Sequence, residues 1–397
     1  MIKFSKGLKN KKIVMMVVTD VSNDMRVLKE ARSARKAGMK VVILAKKSLK
    51  TKFKEKVDSE IEVIRFQSFI GQVSDFLKKQ MRRTLQTAKS ERPIVQKGWL
   101  ASYLTIIDMI LINRQFAKIA ALKKPDLIHA NDSLTLPAAL KLKKSGFRVL
   151  YDAHELFSEY LTDPPLGWRN YFTYIEKKIP ELDGFFSVCQ SIIDEIDRRY
   201  HTWKLPRAIL YNAPPYRKKV FRKSQKPLKL LFIGTSYPLK DFKIFYKIMG
   251  KLKNITLTNI GPDWGEGPLT NIINKSSIPF NKLIDEACKY DIGLVPYIPD
   301  SLNRALATPN KLFTYMMAGL AIASSNIVEV RKIINQNNNG VLFKSQNTHD
   351  IQAKISYLEK NPKILEQFKI NSLKAAKKYC WEDQEKKQLA LYEKILE

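Results

Sequence analysis

The chain has 397 residues, 45% of them hydrophobic and 27% charged, with 70 Lys and Arg against 38 Asp and Glu and a formal net charge of +32. That length exceeds one ordinary core and suits two domains of about 200 residues each, and the even scatter of apolar runs excludes a disordered or low-complexity chain. The charge predicts either an anionic partner (nucleic acid, lipid headgroups or a small anion) or a solvated basic surface, while three distant cysteines, Cys189, Cys288 and Cys380, form no metal-spaced pair and read as reduced and structural.

The first apolar run, IVMMVV at 13–18, has six residues after a basic start, which supports neither a signal peptide nor an anchor. The longest apolar stretch, 104–112, is broken by Asp108 and falls far below the ~20 residues of a span. A cytoplasmic protein is expected, touching the inner face of a membrane at most. Between residues 25 and 37 the pattern is helical, and VVILA, IEVIRF, DLIHA, RVLY and FFSVC follow as short apolar runs. Strands alternating with helices predict crossovers and a parallel sheet.

Residues 69–122 look like an insertion in this first half. Phe69, Val73, Phe76, Leu77, Met81 and Leu85 recur at helical spacing beside Lys78, Lys79, Arg82 and Arg83. Such a helix either lies in an anionic headgroup layer or packs its apolar side on the domain. LIHAND at 127–132 and YDAHE at 151–155 each fall at a strand's carboxyl end, where open α/β sheets place their function. Asn131 and Asp132 are expected on a loop, as ligand contacts or, for Asp132, as a cap on the next helix.

Residues 212–227 combine prolines with a basic polar run and no periodicity, so they mark the boundary. The second half repeats the grammar with LLFIG, ITLTNIG, IGLVPY, LAIAS and GVLF. The expected class is α/β, two Rossmann-like doubly wound parallel-sheet domains. The first covers 1–211, a linker 212–227, the second 228–375, and a helix over 376–397 returns to the first, itself part of one helical pattern over 374–396.

Residues 308–319, TPNKLFTYMMAG, read as a helix start aimed at an anion. Thr308 suits the cap, Pro309 the first helical position and Gly319 the end. Leu312, Phe313, Met316 and Met317 form the buried stripe. Following a buried strand at 291–297, this helix offers free N–H groups and a positive dipole end, which suits phosphate.

In their order and spacing these segments resemble the retaining glycosyltransferases of GT-B architecture, Glycosyltransferase Family 4, whose two Rossmann-like domains face a cleft. There an N-K-L-x-E-Y-M-A-x-G stretch sets its helix start against the diphosphate of a nucleotide sugar. The resemblance implies donor contacts from Asn310, Lys311 and Leu312. Thr314 stands where the family's ribose-reading glutamate stands, and Leu306 where many members carry another acid. Gly234 and Lys240 match diphosphate positions, Thr235 replaces an arginine there, and Gly261 matches the glycine near the base.

The family's D-x-H-E histidine touches the donor sugar, so the implied catalytic pair is His154 with Lys240. A similar D-x-x-H-A-H-D segment implies acceptor or cleft contacts for Asn131 and Asp132, with His129 in the strand. A subset shows D-x-R-V-x-K-x-A, matched by Asp24, Arg26, Val27, Lys29 and Ala31. Arg26 then meets the donor or an anionic acceptor, or else is a solvated first-turn arginine.

The implied activity is a hexosyltransferase moving a sugar from a nucleotide-sugar donor to a glycan or polyprenyl-phosphate-linked acceptor in surface polysaccharide synthesis. Fixed dipoles and cations would stabilise the departing diphosphate, with no paired-carboxylate scheme. No Asp-x-Asp pair occurs, so the sequence requires no metal and no cofactor beyond the donor itself. Two alternatives stand beside this reading. Thr235 and Thr314 suggest a catalytically silent relative, and the charge suggests a nucleic-acid-binding α/β protein, for which no stacking platform or reading motif is found.

Overall fold

A computed structural model describes residues 7–48, 51–68, 98–164, 167–234, 239–262 and 270–397, and of 98–105, 239 and 240 the backbone only. Two compact units divide the chain. Unit 1 comprises Met1–Val188, Ile192–Leu210 and Glu385–Glu397, and unit 2 comprises Cys189–Ser191 and Tyr211–Gln384.

In unit 1 the chain runs β1 (Lys12–Val17), α1 (Met25–Lys36), β2 (Lys40–Lys46), β3 (Lys54–Val57), β4 (Ile61–Phe66), α2 (Gly98–Lys123), β5 (Leu127–Asn131), α3 (Leu136–Lys144), β6 (Val149–Ala153), α4 (Trp168–Glu176), β7 (Gly184–Ser187), α5 (Gln190–Tyr200) and β8 (Arg207–Ile209). The sheet order is β3-β4-β2-β1-β5-β6-β7-β8. Among the described residues only the β3/β4 pair of this sheet is antiparallel. The apolar runs of β1, β2, β5, β6 and β7 are buried along almost their whole lengths, because helices cover both faces of a parallel sheet. From β1 the chain winds first toward β2 and later toward β5 on the other side, so the sheet's switch point lies between β1 and β5.

Unit 2 runs β9 (Leu228–Ile233), α6 (Leu239–Met249), β10 (Ile255–Ile260), β11 (Ile272–Lys275), α7 (Phe280–Ala287), β12 (Ile292–Val295), α8 (Leu302–Leu306), α9 (Asn310–Ala318), β13 (Ala321–Ser325), α10 (Val328–Asn337), β14 (Gly340–Phe343), α11 (Thr348–Lys360) and α12 (Pro362–Ala376). The order β11-β10-β9-β12-β13-β14 is parallel throughout and places its switch point between β9 and β12. Leu231, Ile233 and Ile260 pack one face against α9 and α10, while Leu230, Phe232 and Leu257 pack the other against α6 and α11.

Helix α9 is keyed to this sheet through one residue. A Cβ on Gly293 of β12 would come within 2.3 Å of the Tyr315 ring. The Tyr315 hydroxyl in turn accepts a hydrogen bond from Ile233 N at 2.9 Å.

Two expectations need correction. The single helix over 374–396 is two, α12 and α13 (Trp381–Leu396), because the chain turns at 377–380. The start of α9 lies one residue later than expected. Pro309, at φ −63° and ψ 131°, is the cap residue, Asn310 opens the helix, and the Thr308 hydroxyl is buried without a hydrogen-bond partner. Gly319, at φ 72°, ends the helix in the left-handed conformation.

Residues 212–227 carry no helix or strand and lie on unit 2. Arg222 pairs with Asp291 at 2.6 Å, and Arg217 and Lys219 pair with Asp285. The basic amphipathic stretch from Phe69 to Leu85 lies outside the described residues. Among the described residues no helix is long and apolar enough to cross a membrane.

Candidate functional site

At the switch point of unit 1, Asp24 caps α1 by accepting from Val27 N, which sets Arg26 in the first turn. Arg26 is not solvated there. It is 3% exposed, and its guanidinium donates from Nε to Asp152 Oδ2 at 2.8 Å and from Nη2 to Asp152 Oδ1 at 2.6 Å. Nη1 donates to Leu210 O at 2.8 Å. Burial disfavours this charge, but Asp152 and Glu30 more than offset it and hold the group protonated.

Asp152 ends β6 and also meets His154, whose Nε2 lies 2.8 Å from Asp152 Oδ2. The other ring nitrogen, Nδ1, lies 3.1 Å from Asp132 Oδ2. Burial would raise the Asp152 carboxyl, yet Arg26 and His154 hold it well below the usual range. Burial likewise opposes a charged His154, while Asp132 and Asp152 raise its pKa well above the usual histidine value. Asp132 sits at φ 65° and ψ 158°, strained for a side chain with a Cβ, and makes no cap hydrogen bond. Its neighbour Asn131 is not on a loop. It closes β5, fully buried, and donates to Met16 O at 3.1 Å.

Beneath these groups His129, buried in β5, lies 2.7 Å from the Tyr392 hydroxyl of α13. Burial drives its pKa down to about 3, leaving it neutral. Glu30 lies one helical turn after Arg26, and burial together with Asp152 pushes its carboxyl well above the usual range. Glu30, His129 and Asp152 bring ligand-type atoms within 4.8 Å of one another. The cation already among them is Arg26, 3.1 Å from Glu30 Oε1 and 2.6 Å from Asp152 Oδ1. A metal ion would have to stand against that guanidinium, so the cluster is read as an internal charge balance.

At the switch point of unit 2, Asn310 is exposed and Lys311 half-buried at the start of α9. The first N–H groups of a helix have no intrahelical acceptor, and the dipole adds partial positive charge. Leu312 contributes differently from expectation. Its side chain is in the core and its N–H already donates to Pro309 O at 3.0 Å. Lys311 Nζ lies 4.0 Å from the centroid of the Phe232 ring, and burial pushes its pKa down to about 8. Thr314 is buried, and its hydroxyl points back to Asn310 O at 3.5 Å.

Gly234 follows β9 and Gly261 follows β10. A Cβ on Gly261, at φ 150°, would stand 1.8 Å from Gly234 O, and a Cβ on Gly234 would stand 2.7 Å from the Phe232 ring. Gly261 therefore demands glycine by space and by backbone conformation, and Gly234 is crowded by a side chain. Thr235 lies outside the described residues, and Lys240 is in the first turn of α6 with only its backbone described.

Sequence reasoning missed Asp241 and Arg304. Asp241, in the first turn of α6, receives Arg304 Nη2 on both oxygens at 2.7 and 2.6 Å and Ile298 N at 3.1 Å. Arg304 also stacks 4.4 Å over Tyr297 and contacts Asp300 at 3.2 Å. The pair joins α6 to the segment after β12, on the two strands that flank the switch point. No spacing signal marks it, since the partners are 63 positions apart. Leu306 ends α8, and its carbonyl accepts from Cys189 Sγ at 3.2 Å.

The sequence profile of Glycosyltransferase Family 4 matches residues 25–213. No curated protein matches the chain. Among solved structures, sucrose-phosphate synthase from Thermosynechococcus elongatus is similar with a TM-score of 0.71 at 13% identity, over 97% of this chain and 99% of that one. TarM from Staphylococcus aureus, in complex with fondaparinux, α-GlcNAc-glycerol and UDP, gives 0.67 at 12% identity, over 96% and 99%. Anabaena HepE in complex with UDP-glucose gives 0.62 at 9%, over 97% and 100%. The two doubly wound α/β units thus have the fold of the GT-B glycosyltransferases, and over residues 25–213, which hold the switch-point residues of the first unit, the chain matches Glycosyltransferase Family 4.

Proposed function

We propose that the enzyme transfers a sugar from a nucleotide-sugar donor, whose diphosphate is held by unit 2, to a glycan or polyprenyl-phosphate-linked acceptor addressed by unit 1. One observation carries the reading. Lys311 places an ammonium with no carboxylate within ion-pair distance among the described residues at a helix start that closes a switch point. A diphosphate would supply the missing charge, and the helix N–H groups would meet the negative charge that grows as the anomeric C–O bond breaks. TarM, with UDP and a glycan bound, and HepE, with UDP-glucose bound, support a donor and acceptor of these classes.

The reaction in this reading proceeds with retention, needs no metal ion and serves surface polysaccharide assembly. Lys240 adds a second cation at the leaving group, and Gly234 and Gly261 let the backbone approach the nucleotide. The overall charge of +32 fits an anionic carrier lipid at the inner membrane face.

A second reading, a silent relative, is favoured by Thr314, whose back-bonded hydroxyl offers no carboxylate to a ribose. Thermal shift with a panel of nucleotide sugars, followed by mass spectrometry of nucleotide release, tests both. A donor that raises the melting temperature and is turned over supports transfer. Binding without turnover of any donor leaves the silent relative, and no binding at all ends the proposal.

A further inference from the structure

His154 is hemmed in by two carboxylates, one at each ring nitrogen, at 3.1 Å (Asp132) and 2.8 Å (Asp152). A neutral imidazole has one N–H and can donate to only one of them, whereas an imidazolium donates to both. Behind Asp152 stands Arg26, bound to both of its oxygens and to Leu210 O. The result is a row of alternating sign, Arg26, Asp152, His154, Asp132, running from α1 across the end of β6 to the end of β5.

We propose that His154 is a doubly protonated strut tying the ends of β5 and β6 together, with Arg26, Asp152 and Asp132 as its positioning residues, so that neither ring nitrogen is free to shuttle a proton during transfer. The charged and titratable groups around it come from each neighbouring element. They are Asp132 after β5, Asp152 on β6, Arg26 and Glu30 on α1, and His129 on β5, with Tyr392 of α13 behind His129. Burial and Asp152 push the Glu30 carboxyl up and burial pushes His129 down, so the contacts on the His154 ring itself come from Asp132 and Asp152. The strained backbone at Asp132 fits this role, since the turn that bends Asp132 is the one that brings its carboxylate onto the ring.

The inference rests on the glycosyl-transfer reading only for its activity arm. Nitrogen-15 histidine spectra of the intact chain, with His154→Gln to identify the signal, should show both ring nitrogens protonated at about pH 8, beyond the ordinary histidine range. In Asp132→Asn the ring should lose its second proton about 1–3 pH units lower. Sugar transfer by that variant should fall about tenfold or more at pH 8.5 and recover near pH 6, where the ring recharges. A singly protonated His154 at about pH 7.5 in the unaltered enzyme overturns the proposal, as does a loss in Asp132→Asn that is equal at both pH values. If no donor is turned over at all, the functional reading fails, and the spectra still decide the strut.

Discussion

The two switch points are built alike and charged in opposite ways. In unit 1, Arg26, Asp152 and His154 are each engaged by neighbours within the unit, down to 2.6 Å, and the cluster is balanced before any ligand arrives. In unit 2, Arg304 is bound to Asp241, and the neighbouring Lys311, attracted by Asp241 without an ion pair to it, lies over an aromatic ring. A half-buried ammonium over a ring is stabilised far less than one in an ion pair. The first arrangement gives rigidity, and the second leaves attraction for a charge that has yet to enter.

Removing a charge should therefore do different things in the two places. The largest effect is expected for Arg26→Met, which strips the buried Asp152 of both guanidinium contacts and leaves it only His154. Stability measured by urea unfolding should drop by about 3–5 kcal/mol. A drop below that found for an ordinary surface substitution would break the contrast. Gly261→Ala should cost about 2 kcal/mol or more of stability, since φ 150° and the 1.8 Å approach to Gly234 O leave no room for a methyl group.

Lys311→Ala should leave the unfolding midpoint close to that of the unaltered chain while weakening nucleotide-diphosphate binding by about 1.5–3 kcal/mol in calorimetry. Its pH dependence sharpens the point. With the free amine near 8, affinity should be full below that value and decline as pH rises through it. The smallest effect is assigned to Phe232→Leu, which removes the ring beneath Lys311 and should change nucleotide affinity by about 0.5–1 kcal/mol.

The central strands were legible because a sheet covered on both faces writes itself as apolar runs. IVMMVV, VVILA and LLFIG are such runs, and they became β1, β2 and β9. Three others were not. β3, β8 and β11 are three or four residues long, and none is fully buried along its length. Helix α9 was read within one residue, the slip arising because proline serves as the cap residue as well as the first helical position. The partner of Arg26 was hidden for a plainer reason. A first-turn arginine looks solvated until its partner, 126 positions away, is brought beside it by β6. Side-chain pairs of that separation, like Arg304 with Asp241, leave no trace in local spacing.

The seat of Tyr315 on Gly293 ties two positions, 22 apart, into one unit of inheritance. Any side chain at 293 evicts the ring, and eviction takes the hydroxyl from Ile233 N at the strand leading to Gly234. Descendants of this sequence can gain a side chain at 293 only with a smaller residue at 315, so covariation at 293 and 315 would be the evolutionary signature of how α9 is aimed.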